Sequence, residues 1–127
     1  GDGNEGRKEK YTGPLLEKLP ETGAGITIKK YLDAFNTGDA EKMRQFFDDY
    51  AKKSEAALPI EKRLENYKNF YADMGELTFV NLNASQSSEG IWEVSVTTST
   101  GNPAKFIFRI ETESPWKFEG LQIGMGD

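Results

Sequence analysis

Apolar residues recur at helical spacing through the first half of the chain and alternate with polar ones through the last third. Ile28, Tyr31, Leu32 and Phe35 stand at i, i+3, i+4 and i+7, which places them on one face of a helix from near Gly25 to Phe35. Asn36-Thr37-Gly38 is a stop signal, and the short carboxylate of Asp39 suits the N-cap of a second helix. That helix repeats the spacing with Met43, Phe46, Phe47 and Tyr50. Ala51 to Leu58 loses the period and reads as a polar connection. Pro59 lacks an amide hydrogen that a first turn would leave unused, so it opens a third helix. The face of this helix is Ile60, Leu64, Tyr67, Tyr71 and Met74, and Gly75 ends it.

After Gly75 the period changes. Leu77 to Leu82 reads as a strand whose alternation slips near Phe79-Val80, the mark of a bulge. Ser85 to Gly90 is a turn. Trp92, Val94 and Val96 then alternate with Glu93, Ser95 and Thr97. Thr100-Gly101-Asn102-Pro103 turns the chain into a third strand, where Phe106, Phe108 and Ile110 share one face. Ser114-Pro115 makes a tight connection into a last strand over Trp116 to Ile123. Connections this short imply an antiparallel meander. The expected class is α+β, with three N-terminal helices packed on a curved four-stranded antiparallel sheet. A helical bundle with a detached hairpin would expose the Phe106/Phe108/Ile110 face, at a cost of roughly 1.5–3 kcal/mol per large side chain. Residues 1–22 are polar and rich in Gly, Lys and Glu, with Pro14 and Pro20, and read as a flexible arm or linker. This segment is either a tether or a plain tail, and Leu15, Leu16 and Leu19 give it a means of docking. Residues 23–127 are expected to form a single domain.

A chain of 127 residues is long enough for one unstapled core. Its eight Phe, five Tyr and two Trp are too many rings for a disordered chain. The net charge of −5, with bases mixed among the acids, argues against a nucleic-acid surface. With no Cys and no His, thiol nucleophiles, Ser-His-Asp triads and the nitrogen–sulfur ligand sets of zinc are excluded. No apolar run approaches the roughly 20 residues of a membrane span.

The run Tyr31-Leu32-Asp33-Ala34-Phe35-Asn36-Thr37-Gly38-Asp39 and the late segment Phe118-Glu119-Gly120-Leu121-Gln122-Ile123 resemble the first helix junction and the final strand of the nuclear transport factor 2-like superfamily. This superfamily includes ketosteroid isomerases and polyketide cyclases. The stretches Ala34 to Asp39 and Ile60-Glu61-Lys62-Arg63-Leu64 look closer to domains that precede serine hydrolases or peptidases in secreted bacterial proteins. The resemblance covers about Thr22 to Gly124. It implies a cone-shaped domain, an extracytoplasmic location with any signal segment upstream of Gly1, and a possible attached hydrolase. Ala51 to Leu58 is too short for the strand pair that many members carry between the second and third helices, so a reduced sheet is expected.

A cone between helices and sheet is a ready pocket. Tyr31, Phe35, Phe46, Tyr50, Tyr67, Tyr71, Trp92, Phe106 and Phe108, with Phe70, are the candidates to line it. They either form an apolar ligand site with tyrosine anchors or simply fill the core. The resemblance implies an alternative, a small isomerase or lyase acting on an apolar carbonyl compound. That chemistry needs a carboxylate base in a dry pocket beside a hydroxyl donor. The candidate acids Asp33, Asp48, Asp49 and Glu93 all fall out of phase with the apolar stripes, so no catalytic residue is assigned. Arg63 and Arg109 are either anion contacts or surface ion pairs, with Glu61 and Glu111 as the neighbours. Glu111 and Glu113 lack the further ligands a calcium site needs. No metal and no cofactor are expected. The second sheet face mixes Ile107, Leu121 and Ile123 with Ser95, Thr97, Arg109 and Gln122, and suits a homodimer or a neighbouring domain. The expected role is a non-catalytic ligand-binding or protein-interaction module.

Overall fold

The computed structural model describes residues 15–125. Most of the arm assigned to residues 1–22 lies outside that range. Strand β1 (Leu15–Leu16) is followed by helices α1 (Ala24–Asn36), α2 (Ala40–Tyr50) and α3 (Ile60–Met74). Strands β2 (Leu77–Asn83), β3 (Ile91–Thr98), β4 (Pro103–Ile110) and β5 (Phe118–Met125) complete the domain, with a short 3-10 turn at Ser87–Glu89. The sheet is antiparallel throughout and runs in the order β1-β2-β3-β4-β5.

The class is α+β, as the periodicities imply, but the sheet has five strands, not four. Leu15 and Leu16 pair with Asn83 and Leu82, closing the edge that β2 would otherwise leave bare. A two-residue strand is too short for alternation to register, which is why the sequence reads as an arm there.

The helix boundaries follow the local chemistry. The Asp39 carboxylate accepts from the Glu41 amide at 2.9 Å, and Pro59 stands directly before Ile60 at the start of α3. Gly75 ends α3 at φ 68 and ψ −152, a region closed to side-chain-bearing residues. A Cβ there would also stand 2.5 Å from the Ser99 hydroxyl oxygen. Gly75→Ala is therefore expected to cost about 1–3 kcal/mol in urea unfolding; an unchanged midpoint would show that the α3–β2 junction relaxes freely.

Single side chains tie the layers together. The Asn36 amide, at the end of α1, accepts from the Leu77 N–H at 2.8 Å and donates to the Leu77 carbonyl at 2.9 Å. Thr27 donates to the Trp116 carbonyl at 2.8 Å. The Lys52 amide donates to the Phe118 carbonyl at 2.7 Å, beside a parallel bridge between Ala51 and Phe118. These last contacts hold the α2–α3 connection against the start of β5.

The core lies between the helices and one sheet face. Ile28, Phe35, Met43, Leu82, Val94, Phe106 and Phe108 are wholly enclosed there. The bulge expected near Phe79-Val80 is present, as the β2–β3 register shifts between Phe79 and Asn81. A second shift, between Arg109 and Ile110, puts Phe118 opposite Ile110 but Leu121 opposite Phe108. This unforeseen bulge changes the phase of β5 and turns Leu121 and Ile123 onto the inner face, where they pack on the core. The outer face is thus more polar than the sequence implied. Ile91 and Ile107 remain there, beside a Glu93–Lys105 ion pair at 3.8 Å. Strand β5 starts at Phe118 and not Trp116, because Trp116 takes φ 49 inside the tight connection.

Candidate functional site

The inner space is not completely filled. A cavity of about 240 Å³ remains between α1, the end of α2, the α2–α3 connection, α3 and the first half of β5. Its apolar walls are Phe47, Tyr67, Phe70, Phe118 and Leu121. Ala56, Ala57 and Leu58, from the connection, border it, as do Arg63 and Asn66 on α3. Register explains the wall from β5: the bulge around Glu119 brings Phe118 to Leu121 alongside α3.

Tyr31 forms the floor. It is 3% exposed, and its ring stacks on Phe118 at 5.8 Å and meets Phe46 and Phe108 edge-on at 5.4 and 5.2 Å. Its hydroxyl makes no hydrogen bond to a described residue, whereas the Tyr67 hydroxyl donates to the Phe35 carbonyl at 2.7 Å. Among the described residues no side-chain nitrogen or oxygen sealed from solvent lacks a partner, so the Tyr31 oxygen is not an orphaned buried group, and Tyr31 borders the cavity. Burial, reinforced by the neighbouring Tyr67, drives the Tyr31 pKa far above the usual phenol value. The group is therefore a neutral O–H donor at any physiological pH.

Arg63 marks the rim, since it borders both this cavity and a polar groove outside it. Its guanidinium carbon lies 5.1 Å from the Phe47 ring centre and 5.4 Å from that of Phe118. Burial pushes its pKa down, yet an arginine remains charged. The expected ion pair with Glu61 does not form, because Glu61 reaches across to Arg44 on α2 at 3.3 Å. Arg63 has no ion pair with any described residue.

The one carboxylate among the described residues that borders the cavity is Glu119, and Lys52 holds it at 3.3 Å. Lys52 also reaches Glu111 at 3.6 Å, and its pKa is raised, chiefly by the hydrogen bond to Glu119. The acids considered as bases lie elsewhere. Asp33 pairs with Lys29 at 3.0 Å, Asp48 with Lys53 at 3.2 Å, and Glu93 with Lys105. Asp49 is exposed, and its backbone carbonyl accepts from Lys117 at 2.7 Å.

Of the nine aromatic candidates, Tyr31 and Tyr67 border the cavity, with Phe70. Phe35, Phe46, Phe106 and Phe108 are ordinary core, and Tyr50, Tyr71 and Trp92 pack half-buried against it. Phe47, Asn66 and Phe118 were not anticipated as wall residues. A signal for the open space was present in Ala56-Ala57, two small residues in an otherwise polar connection.

The outer groove, about 860 Å³, is larger but differs in kind. Several of the charged residues that line it pair among themselves, such as Arg44 with Glu41 at 3.5 Å and Lys53 with Asp48. Among the described residues no cluster of acids is arranged to hold a metal ion, and no helix is long and apolar enough to cross a membrane. No protein-family model, curated protein or solved structure matches the chain significantly.

Proposed function

We propose that the chain is a reduced cone of the nuclear transport factor 2-like kind, and that it serves as a non-catalytic binding module for a small, ring-sized ligand in the cavity below α3. The observation that carries this reading is Tyr31, which borders the cavity, is almost wholly enclosed by the fold, and has a hydroxyl without a partner among the described residues. Among the described residues no sealed polar atom is left unpaired, so solvent takes that bond when the cavity is empty. An occupant with an acceptor atom replaces that solvent, for a net gain of about 0.5–1.5 kcal/mol.

Size supports the same class. An apolar cavity of about 150 Å³ is enough to take benzene. The 240 Å³ here suits a substituted ring or a short branched chain. The isomerase alternative asks for a free carboxylate beside the donor. Glu119 is tied to Lys52, which leaves that reading without a base. A homodimer through the outer sheet face has less to work with once Leu121 and Ile123 face inward.

Acetophenone, an aromatic ring with one carbonyl acceptor, is a suitable neutral probe. Titrated into the labelled full chain, it is expected to give saturable NMR shifts at Tyr31 and at residues 118–121. Tyr31→Phe should hold or raise folding stability in urea while weakening acetophenone binding by about tenfold, the worth of one good hydrogen bond. A variant that loses more than about 1 kcal/mol of stability and binds unchanged would make the hydroxyl structural.

A further inference from the structure

We infer that the occupant is a monoanion, a carboxylate carried on a ring or short branched chain, and that Arg63 at the rim selects it. This inference rests on the binding reading above and adds the charge of the ligand and its orientation.

Four observations converge on Arg63. The side chain stands where the apolar cavity meets the charged groove, so a ligand whose ring fills the cavity leaves its polar end beside the guanidinium. The acids near enough to compete are engaged: Glu61 with Arg44, and Glu119 with Lys52. The two rings beneath the cation, Phe47 and Phe118, fix its position but offer no hydrogen-bond acceptor. No described residue accepts a hydrogen bond from the guanidinium, so its planar fork of N–H donors is left for another group, and that geometry matches a carboxylate. Finally, the guanidinium is half-buried, where a charge interaction is screened less than at an open surface.

The far end of the cavity fixes the orientation. Tyr31 is a neutral donor among aromatic rings, with no charge to offer an anion. The carboxylate therefore lies outward on Arg63 and the ring inward against Phe118 and Phe70; an acceptor on the far side of the ring keeps the Tyr31 bond, and an anion without one forgoes it. Polyanions fit poorly, because Glu119 borders the same cavity and the chain carries a net charge of −5. Lysine at the same place would supply a point charge without the fork.

The test compares probes of one shape and different charge on the full chain: benzoate, acetophenone and benzylammonium, each followed by NMR titration. Benzoate is expected to bind about fivefold more tightly than acetophenone, with benzylammonium weakest, because a charge-assisted hydrogen bond to Arg63 outweighs the neutral one to Tyr31. Arg63→Met keeps an unbranched side chain over the two rings. It should bring benzoate to or below the acetophenone level. Added salt should weaken benzoate binding in the unmodified chain and spare acetophenone, which tests the idea without any variant. Equal affinity for all three probes, or benzoate binding that neither salt nor Arg63→Met alters, overturns the charge selection while the cavity reading stands. If none of the three perturbs residues 118–121, the cavity reading falls, and this inference with it.

Discussion

Replacing Phe106 with alanine is expected to lower the unfolding free energy by about 3–5 kcal/mol. The ring has no exposed surface and lies in the middle of β4, between Val94 on β3 and Ile123 on β5. From the helical layer it meets Phe35 edge-on at 5.9 Å and Tyr31 at 6.3 Å. Such ring pairs add about 0.5–1.5 kcal/mol each beyond the area they bury. The hole left by truncation is bounded by strands on both sides, so it has little scope to collapse. A domain holds only about 5–15 kcal/mol in total, which makes this loss a large share of the whole. The urea midpoint measures it directly. A loss below about 1.5 kcal/mol would mean that the neighbours close over the gap and that the core is centred elsewhere.

A second large effect is expected at Gly25, with a sign opposite to the usual one. Within a helix, glycine to alanine ordinarily gains about 1 kcal/mol. Gly25 lies in the first turn of α1 beneath the backbone of Pro20, and a methyl group there would overlap the Pro20 carbonyl. Backbone cannot swing aside as the end of a side chain can. Gly25→Ala should therefore lose about 1–3 kcal/mol, as overpacking does, and the damage should be local. Amide exchange is expected to quicken in the β1–β2 ladder, where Leu16 faces Leu82, while β3 and β4 keep their protection. A more stable variant would show that Pro20 does not press on α1.

The helices and the central strands were legible because their signals are local. The stripe Ile28/Tyr31/Leu32/Phe35, the Asp39 cap, the Gly75 stop and the broken alternation at Phe79-Val80 each depend on a few adjacent residues. Strand β1 was missed because two residues show no period. The phase of β5 was missed because its bulge is set by pairing with Arg109 and Ile110, which lie across a turn. The site was harder to read for a different reason. Phe46 and Phe47 share a helix and a stripe, yet Phe47 borders the cavity while Phe46 does not. Only the packing of three elements decides which ring faces a space. Arg63 was legible in part. Residues two apart on a helix do not face each other, so Glu61 was never well placed to neutralise it. The link from Glu61 to Arg44 is tertiary and leaves no trace in the sequence.

Phe118 belongs to both worlds. Its ring stacks on Tyr31, meets Phe46 and Phe47 edge-on at 5.7 Å each, and also forms a wall of the cavity. Anything that settles against that ring becomes part of the material that holds the helices on the sheet. Occupancy and resistance to heat are then one quantity. A compound at a hundred times its dissociation constant adds about 2.7 kcal/mol to the folded state. For a domain near this size that is roughly 10 °C or more in melting temperature. The molecule's own heat denaturation can thus sort a chemical library for compounds that occupy the cavity.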